Sequence, residues 1–393
     1  MELKHKRLIF FLGLYDILDI FSYELIRYCE NADYEVLVID NRNFSEGMTA
    51  LSSFITKPVT AMITFNNLGT NTELVKGENL WECLGIPCIN ILMDHPYAHD
   101  KALSMAPSNS VVLCVDRNHV DYLGRFFPHI SMRGFLPHGG NHQDNKLKKI
   151  KDRSISLLYM GSLSRKFADS DKPDFSAFPE IDLEKIANAV FERMISAPEY
   201  TMEYVIEKTL SDERIVLPDD KLRTVIRALH YIDMYASSYY REKLVRTLAV
   251  NGLPITIYGK GWDICDWRGL ENVNYRGTVS AYDAVRIMGD SKIVLNSMPW
   301  FRDGSHDRVF NGMLSGAYVM SKESKYLREV ISEDAAKLFS LSEIDELPEI
   351  LPELLTTPDA MQRTADCGYE LAVKAHTWDC RAKELDRDLL EIL

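Results

Sequence analysis

Six short apolar runs recur through the first third of the 393-residue chain, at 7–12, 35–39, 61–65, 88–93, 111–115 and 132–136. Segments with helical spacing, such as 20–29 and 118–127, separate them. A strand buried on both faces reads as a continuous apolar run, and a helix between successive runs lets their strands lie parallel in one sheet. The pattern predicts roughly five or six βα units in residues 1–140, which make one doubly wound α/β domain.

The stretch Pro137-His138-Gly139-Gly140-Asn141 is rich in turn formers and is followed by several lysines, so 141–154 reads as an interdomain linker. A second domain, 155–370, then opens with an apolar run that stops at Gly161-Ser162. From about 182 to 251 the spacing is helical almost throughout, longer than a βαβ crossover needs; this insertion reads as a lid, an acceptor-recognition element or a packing embellishment. Strands return at 255–258, 273–275, 293–296 and 318–321, with a helix at 307–314, and the remainder reads as helical. A C-terminal helix at 371–393 that crosses back to the first domain is typical of such an arrangement. The expected fold class is therefore α/β: two Rossmann-like domains facing across a cleft, with a helical insertion in the second. A length of 393 residues is comfortable for two cores.

Charge and cysteine usage narrow the function. With 45 basic and 58 acidic residues the net charge is −13 and no long basic run is present, so a polyanion such as nucleic acid has no electrostatic footprint. Seven cysteines, an odd number without a Cys-x-x-Cys pair, suit buried thiols in a reducing compartment better than disulfides or a zinc site. Asp16 and Asp19 interrupt the apolar N-terminal run, which reads as a buried strand rather than a signal peptide. No stretch reaches the roughly 18 to 20 apolar residues of a membrane span, and a cytoplasmic location is expected.

Chemistry-bearing residues cluster where strands are expected to end. After 293–296 a loop leads to a helix opening His306-Asp307-Arg308. A helix N-terminus offers unpaired N–H groups and a positive dipole end, and Arg308 adds a bidentate charge, an outline anion site. The same residues also suit a plain helix cap, through Asp307 or Ser305, with Arg308 paired to a surface carboxylate. Tyr258-Gly259-Lys260-Gly261-Trp262 follows a strand and could cradle phosphate or form an ordinary turn over a packed Trp262; Gly161-Ser162-Leu163-Ser164-Arg165-Lys166 carries the same ambiguity. In the first domain, Asp94 and His95 follow a strand directly and are candidates for a general base, or for a helix cap and a filled turn. His138 is a weaker candidate on the expected cleft floor. Asp169-Ser170-Asp171 has the spacing of a metal-binding Asp-x-Asp, but its polar surroundings favour a solvated loop, and no metal ligand is assigned.

Taken in order, Tyr258-Gly259-Lys260-Gly261-Trp262, Tyr275-Arg276-Gly277, the strand 293–296, His306-Asp307-Arg308-Val309-Phe310-Asn311 and Ser315-Gly316-Ala317 resemble the C-terminal domain of group 1 glycosyltransferases, especially the spore-maturation-protein (CgeB-like) branch. The likeness covers residues 250–330 and extends to the rest in architecture. It implies a GT-B fold and a UDP- or GDP-sugar donor held by the second domain, with no cofactor and no essential metal. The implied acceptor, a protein, a surface glycan precursor or a small molecule, meets the first domain. By the resemblance Arg308 meets the diphosphate; Gly161, Ser162, Tyr258, Gly259, Lys260, Trp262, Asn296, His306 and Asp307, read from their places at expected strand ends, complete the expected donor site. Asn311 stands where many relatives carry a glutamate that bonds the ribose hydroxyls; an amide can still bond a hydroxyl but brings no charge. A nucleotide-sugar epimerase and a non-catalytic nucleotide-sugar-binding protein would share the same binding half.

Overall fold

The computed structural model describes residues 6–141, 143, 146–164, 173, 175, 176 and 178–390. The chain divides into two compact units, residues 1–142 with 374–393, and residues 143–373.

In the first unit the apolar runs form β1 (Arg7–Leu12), β2 (Glu35–Asp40), β3 (Ala61–Phe65), β6 (Cys88–Leu92), β7 (Ser110–Cys114) and β8 (Met132–Phe135), while β4 (Glu73–Val75) and β5 (Glu78–Asn79) make a small separate hairpin. The six long strands are parallel, in the order β2-β1-β3-β6-β7-β8. Continuous apolar character is explained by burial on both faces: all of β1, β3 and β6 is buried. On one face Ile9, Phe11 and Met62 pack with Ile39, Leu51 and Trp81. Chain direction across the sheet reverses between β1 and β3, so the loops after these strands flank the switch point where α/β sheets bind ligands. The hairpin was not legible because its strands are two and three residues long and Val75 is exposed.

The C-terminal residues complete this unit. Trp378 is fully buried against Phe21 and Phe65, with ring centroids 4.7 and 5.7 Å away. Gly140 N donates to His376 O at 2.7 Å and Trp378 N to Gly140 O at 3.0 Å. A Cβ on Gly139 would lie 2.7 Å from Trp378 N, so this crossing needs a glycine.

In the second unit β9 (Ile155–Met160), β10 (Ile255–Tyr258), β11 (Val273–Tyr275), β12 (Ser291–Asn296), β13 (Tyr318–Lys322) and β14 (Lys337–Phe339) form a parallel sheet in the order β11-β10-β9-β12-β13-β14. Its switch point lies between β9 and β12. β14 falls where only helix is expected from the sequence, because three residues are too few to show a period. Between β9 and β10 run four helices, Leu183–Ser196, Met202–Asp212, Asp219–Leu229 and Tyr231–Val250. The last sends Tyr240, Leu244 and Leu248 into the same core as Leu157, Ile257 and Trp262, so it packs on the sheet as an ordinary crossover helix does.

Residues 146–154 are held at their far end by packing on the second unit. Arg153, 3% exposed, donates to the carbonyls of Lys148, Ser291 and Ser315 at 2.8 to 3.1 Å, and Ile150 is fully buried. Lysines gave this segment a solvated look, while the one arginine that anchors it left no periodic signal.

Candidate functional site

Two loops at the carboxyl ends of β9 and β10 are laced together. Gly161 N donates to Tyr258 O and Leu163 N to Lys260 O, both at 2.8 Å, and Lys260 N donates to Ser162 Oγ at 3.2 Å. Gly259 and Gly261 have φ of +133° and +88°, and a Cβ on either would run into the carbonyl of Gly161 or Leu163. These glycines are required by the neighbouring loop. Trp262 is fully buried, its Nε1 donating to Gly161 O at 2.8 Å and its ring packed edge-on against Tyr159 and Trp267. It is therefore a support beneath the loops, and the ligand-contact expectation for it is corrected. Tyr258 is half-buried; Ser162 and Lys260 are exposed above the support.

At the end of β12 the chain passes Asn296 and Ser297, both fully buried, and reaches the helix Asp307–Leu314. Arg308 is half-buried, and its guanidinium donates to Asn296 Oδ1 and bonds His306 Nε2, each at 3.0 Å. Asn296 is itself fixed by donation to Ser321 Oγ at 3.0 Å. Burial, reinforced by the Arg308 charge, pulls the His306 pKa below its ordinary value against the opposing pull of Asp307, so the ring is neutral near pH 7 and can accept from Arg308. Asp307 and His306 Nδ1 are in direct contact. Asn311, 2% exposed, donates to Asp307 Oδ2 at 3.2 Å. As placed, Asn296 and Asn311 position the residues around them rather than face solvent, because a side chain this buried has its amide committed to neighbours.

Sequence reasoning missed Arg241. A single arginine on a 20-residue helix carries no local signal, yet its guanidinium donates to Ser162 O and lies 4.6 Å over the Trp300 ring. Its charge reaches both His306 and Arg308, lowering the former's pKa and being opposed by the latter. Among the described residues none of Arg241, Lys260 and Arg308 forms an ion pair with a carboxylate. Arg241 and Lys260 both meet the loop after β9, and Arg308 follows β12, so cations gather where the two strands that flank the switch point end.

In the first unit Asp94 is exposed just past β6. Asn66, 7% exposed and held at φ +48°, donates from Nδ2 to Asp94 Oδ2 at 2.9 Å and to Tyr15 Oη at 3.2 Å, while its Oδ1 accepts from Met93 N at 2.9 Å. A strained left-handed residue bonded on both sides is a common device for aiming a functional group. His95 is placed differently: its ring stacks on Tyr97 at 4.1 Å, meets His119 and Tyr122 edge-on, and its Nδ1 accepts from Tyr97 N. It fills a turn. His138, 5% exposed, packs against Phe21 and Trp378 in the core of this unit, so its floor-of-cleft expectation is corrected to a core histidine. Arg165, Lys166, Asp169 and Asp171 lie outside the described residues. Among the described residues no cluster of His, Cys, Asp and Glu could hold a metal, and no helix is long and apolar enough to cross a membrane.

Residues 241–387 match the family described as glycosyl transferase-like. The match begins within the helix Tyr231–Val250, takes in the later strands of the second unit and ends in the C-terminal residues that belong to the first. No curated protein sequence matches the chain. Among solved structures it is similar to an α-glucosyltransferase in complex with UDP and a 13-mer DNA containing an HMU base, at TM-score 0.57 and 8% identity, covering 98% of this chain and 99% of that one. Sucrose-phosphate synthase from Thermosynechococcus elongatus gives TM-score 0.52 at 9% identity over 98% and 99% of the two chains. HepE from Anabaena, in complex with UDP and glucose, gives 0.50 at 10% over 98% and 100%. At such identities the likeness is one of fold: the chain has the GT-B fold of glycosyltransferases.

Proposed function

We propose that this chain transfers a sugar from a nucleoside-diphosphate donor, UDP-linked or GDP-linked, to a hydroxyl-bearing acceptor. The observation that carries the reading is Arg308, a guanidinium held by Asn296 and a neutral His306 at the start of a helix, without a carboxylate partner among the described residues. Such a preorganised cation, joined by Lys260, lowers the barrier by meeting charge as it develops on the departing diphosphate. Cations and helix N–H groups supply that stabilisation without a metal. The UDP in two of the similar structures supports a uridine donor. The ordered motifs from Tyr258 to Ala317 support the CgeB-like branch, and seven free thiols support a reducing, cytoplasmic compartment. On the acceptor side Asp94, aimed by Asn66, serves as the general base if configuration inverts.

A thermal-shift panel of UDP- and GDP-sugars at millimolar concentration, with and without EDTA, tests this. A donor that binds the native state raises the melting temperature by mass action, and the rise persists in EDTA. No shift with any nucleotide overturns the reading; a shift lost in EDTA and restored by manganese overturns its metal-free form.

A further inference from the structure

We infer that Arg241, carried on the helix Tyr231–Val250, is a second diphosphate ligand, so that this crossover helix forms one wall of the donor site. The inference rests on the donor reading above and extends it to a residue outside the motifs that suggested it.

Four observations converge. Arg241 donates to the Ser162 carbonyl and so belongs to the loop at the end of β9. Its guanidinium carbon lies 4.6 Å over the ring of Trp300, in the loop that leads from β12 to Arg308, a cation–π contact that ties the fork to that loop. Its Nε is buried without a hydrogen-bond partner, and so is Ser305 Oγ, whose residue is fully buried. Arg241 and Arg308 also repel one another, and burial acts with that repulsion to pull the Arg241 pKa down against Tyr159 and Asp233. Two like charges brought together, one of them with a buried N–H left unspent, are costly unless an anion offsets them. A diphosphate has the charge to offset the repulsion and oxygens enough to take both guanidinium forks.

The test is isothermal titration of wild type, Arg241→Gln and Arg241→Lys with UDP, UMP, GDP and GMP, beside melting curves without ligand. In the preferred base series, Arg241→Gln is expected to lose about tenfold or more in diphosphate affinity while monophosphate affinity moves less than twofold. Arg241→Lys, which keeps the charge but not the planar fork, should fall between. A merely structural role would weaken both nucleotides alike, and that outcome overturns the inference, as does unchanged UDP and GDP affinity in the glutamine variant. Should the glutamine variant fail to fold, the lysine variant carries the same comparison. Wild type that binds none of the four overturns the donor reading itself, a result distinct from either.

Discussion

Arg308 and Asp94 occupy opposite chemical situations, and their variants should fail differently. Arg308 is cationic, half-buried and braced on two sides; Asp94 is an exposed carboxylate aimed by a single strained asparagine. Removing a charge-assisted contact costs about 1.5 to 3 kcal/mol, so Arg308→Ala should weaken UDP binding roughly ten- to a hundredfold with the fold intact. Asp94→Asn should leave UDP affinity near wild type and depress turnover. Titration calorimetry beside a donor-hydrolysis rate separates the two. Equal UDP affinity in Arg308→Ala would mean that the diphosphate sits elsewhere, and normal turnover in Asp94→Asn would remove the general-base role. Arg308 stood out in the sequence because a helix opening with a cation after an apolar strand is a local pattern. Arg241 did not, because its importance comes from Ser162 and Trp300, 79 and 59 positions away in sequence, whose approach only the tertiary fold creates.

At the scale of elements, the glycine turns were legible as turns, with their use left open. Read alone, Gly259-Lys260-Gly261 suited either backbone approaching a ligand or an ordinary turn over a packed Trp262. The structure packs it on Gly161-Ser162-Leu163, with Trp262 beneath. The central strands of both sheets were readable because burial on two faces writes itself as a continuous apolar run, whereas β14 and the β4-β5 hairpin are too short to write anything. The loop pairing gives a sharp expectation for Gly259→Ala. A side chain at φ +133° costs about 1 to 3 kcal/mol in backbone strain, and its Cβ also drives into the Gly161 carbonyl. The melting temperature should fall by several degrees, and UDP affinity should drop with it, since Ser162 and Lys260 ride on the displaced loops. A variant that melts with wild type would show that the two loops move independently.

For the whole molecule, stability should fall as the pH drops below neutrality, and one buried histidine makes a defined share of that loss. His376 is 4% exposed, its Nδ1 3.0 Å from the Arg381 guanidinium, which can only donate. Burial first, and the Arg381 charge second, push its pKa down from about 6.5 to about 3. The unfolded chain therefore takes up a proton that the folded chain refuses, and folding loses about 1.4 kcal/mol per pH unit through that window. The stabilising contribution is whole above about pH 6.5 and is gone only near pH 3. An asparagine side chain in place of the imidazole can still accept from Arg381 through its amide oxygen but cannot ionise. His376→Asn should therefore be no more stable than wild type at pH 7, yet gain about 2 kcal/mol on it by pH 5. Paired melting curves at the two pH values read this out: the difference in melting temperature between variant and wild type should move in the variant's favour on acidification. A difference that stays constant from pH 7 to pH 5 would mean that His376 ionises in the folded state as freely as in the unfolded one, and that the crossing of Gly140 over Thr377 and Trp378 leaves the ring open to water.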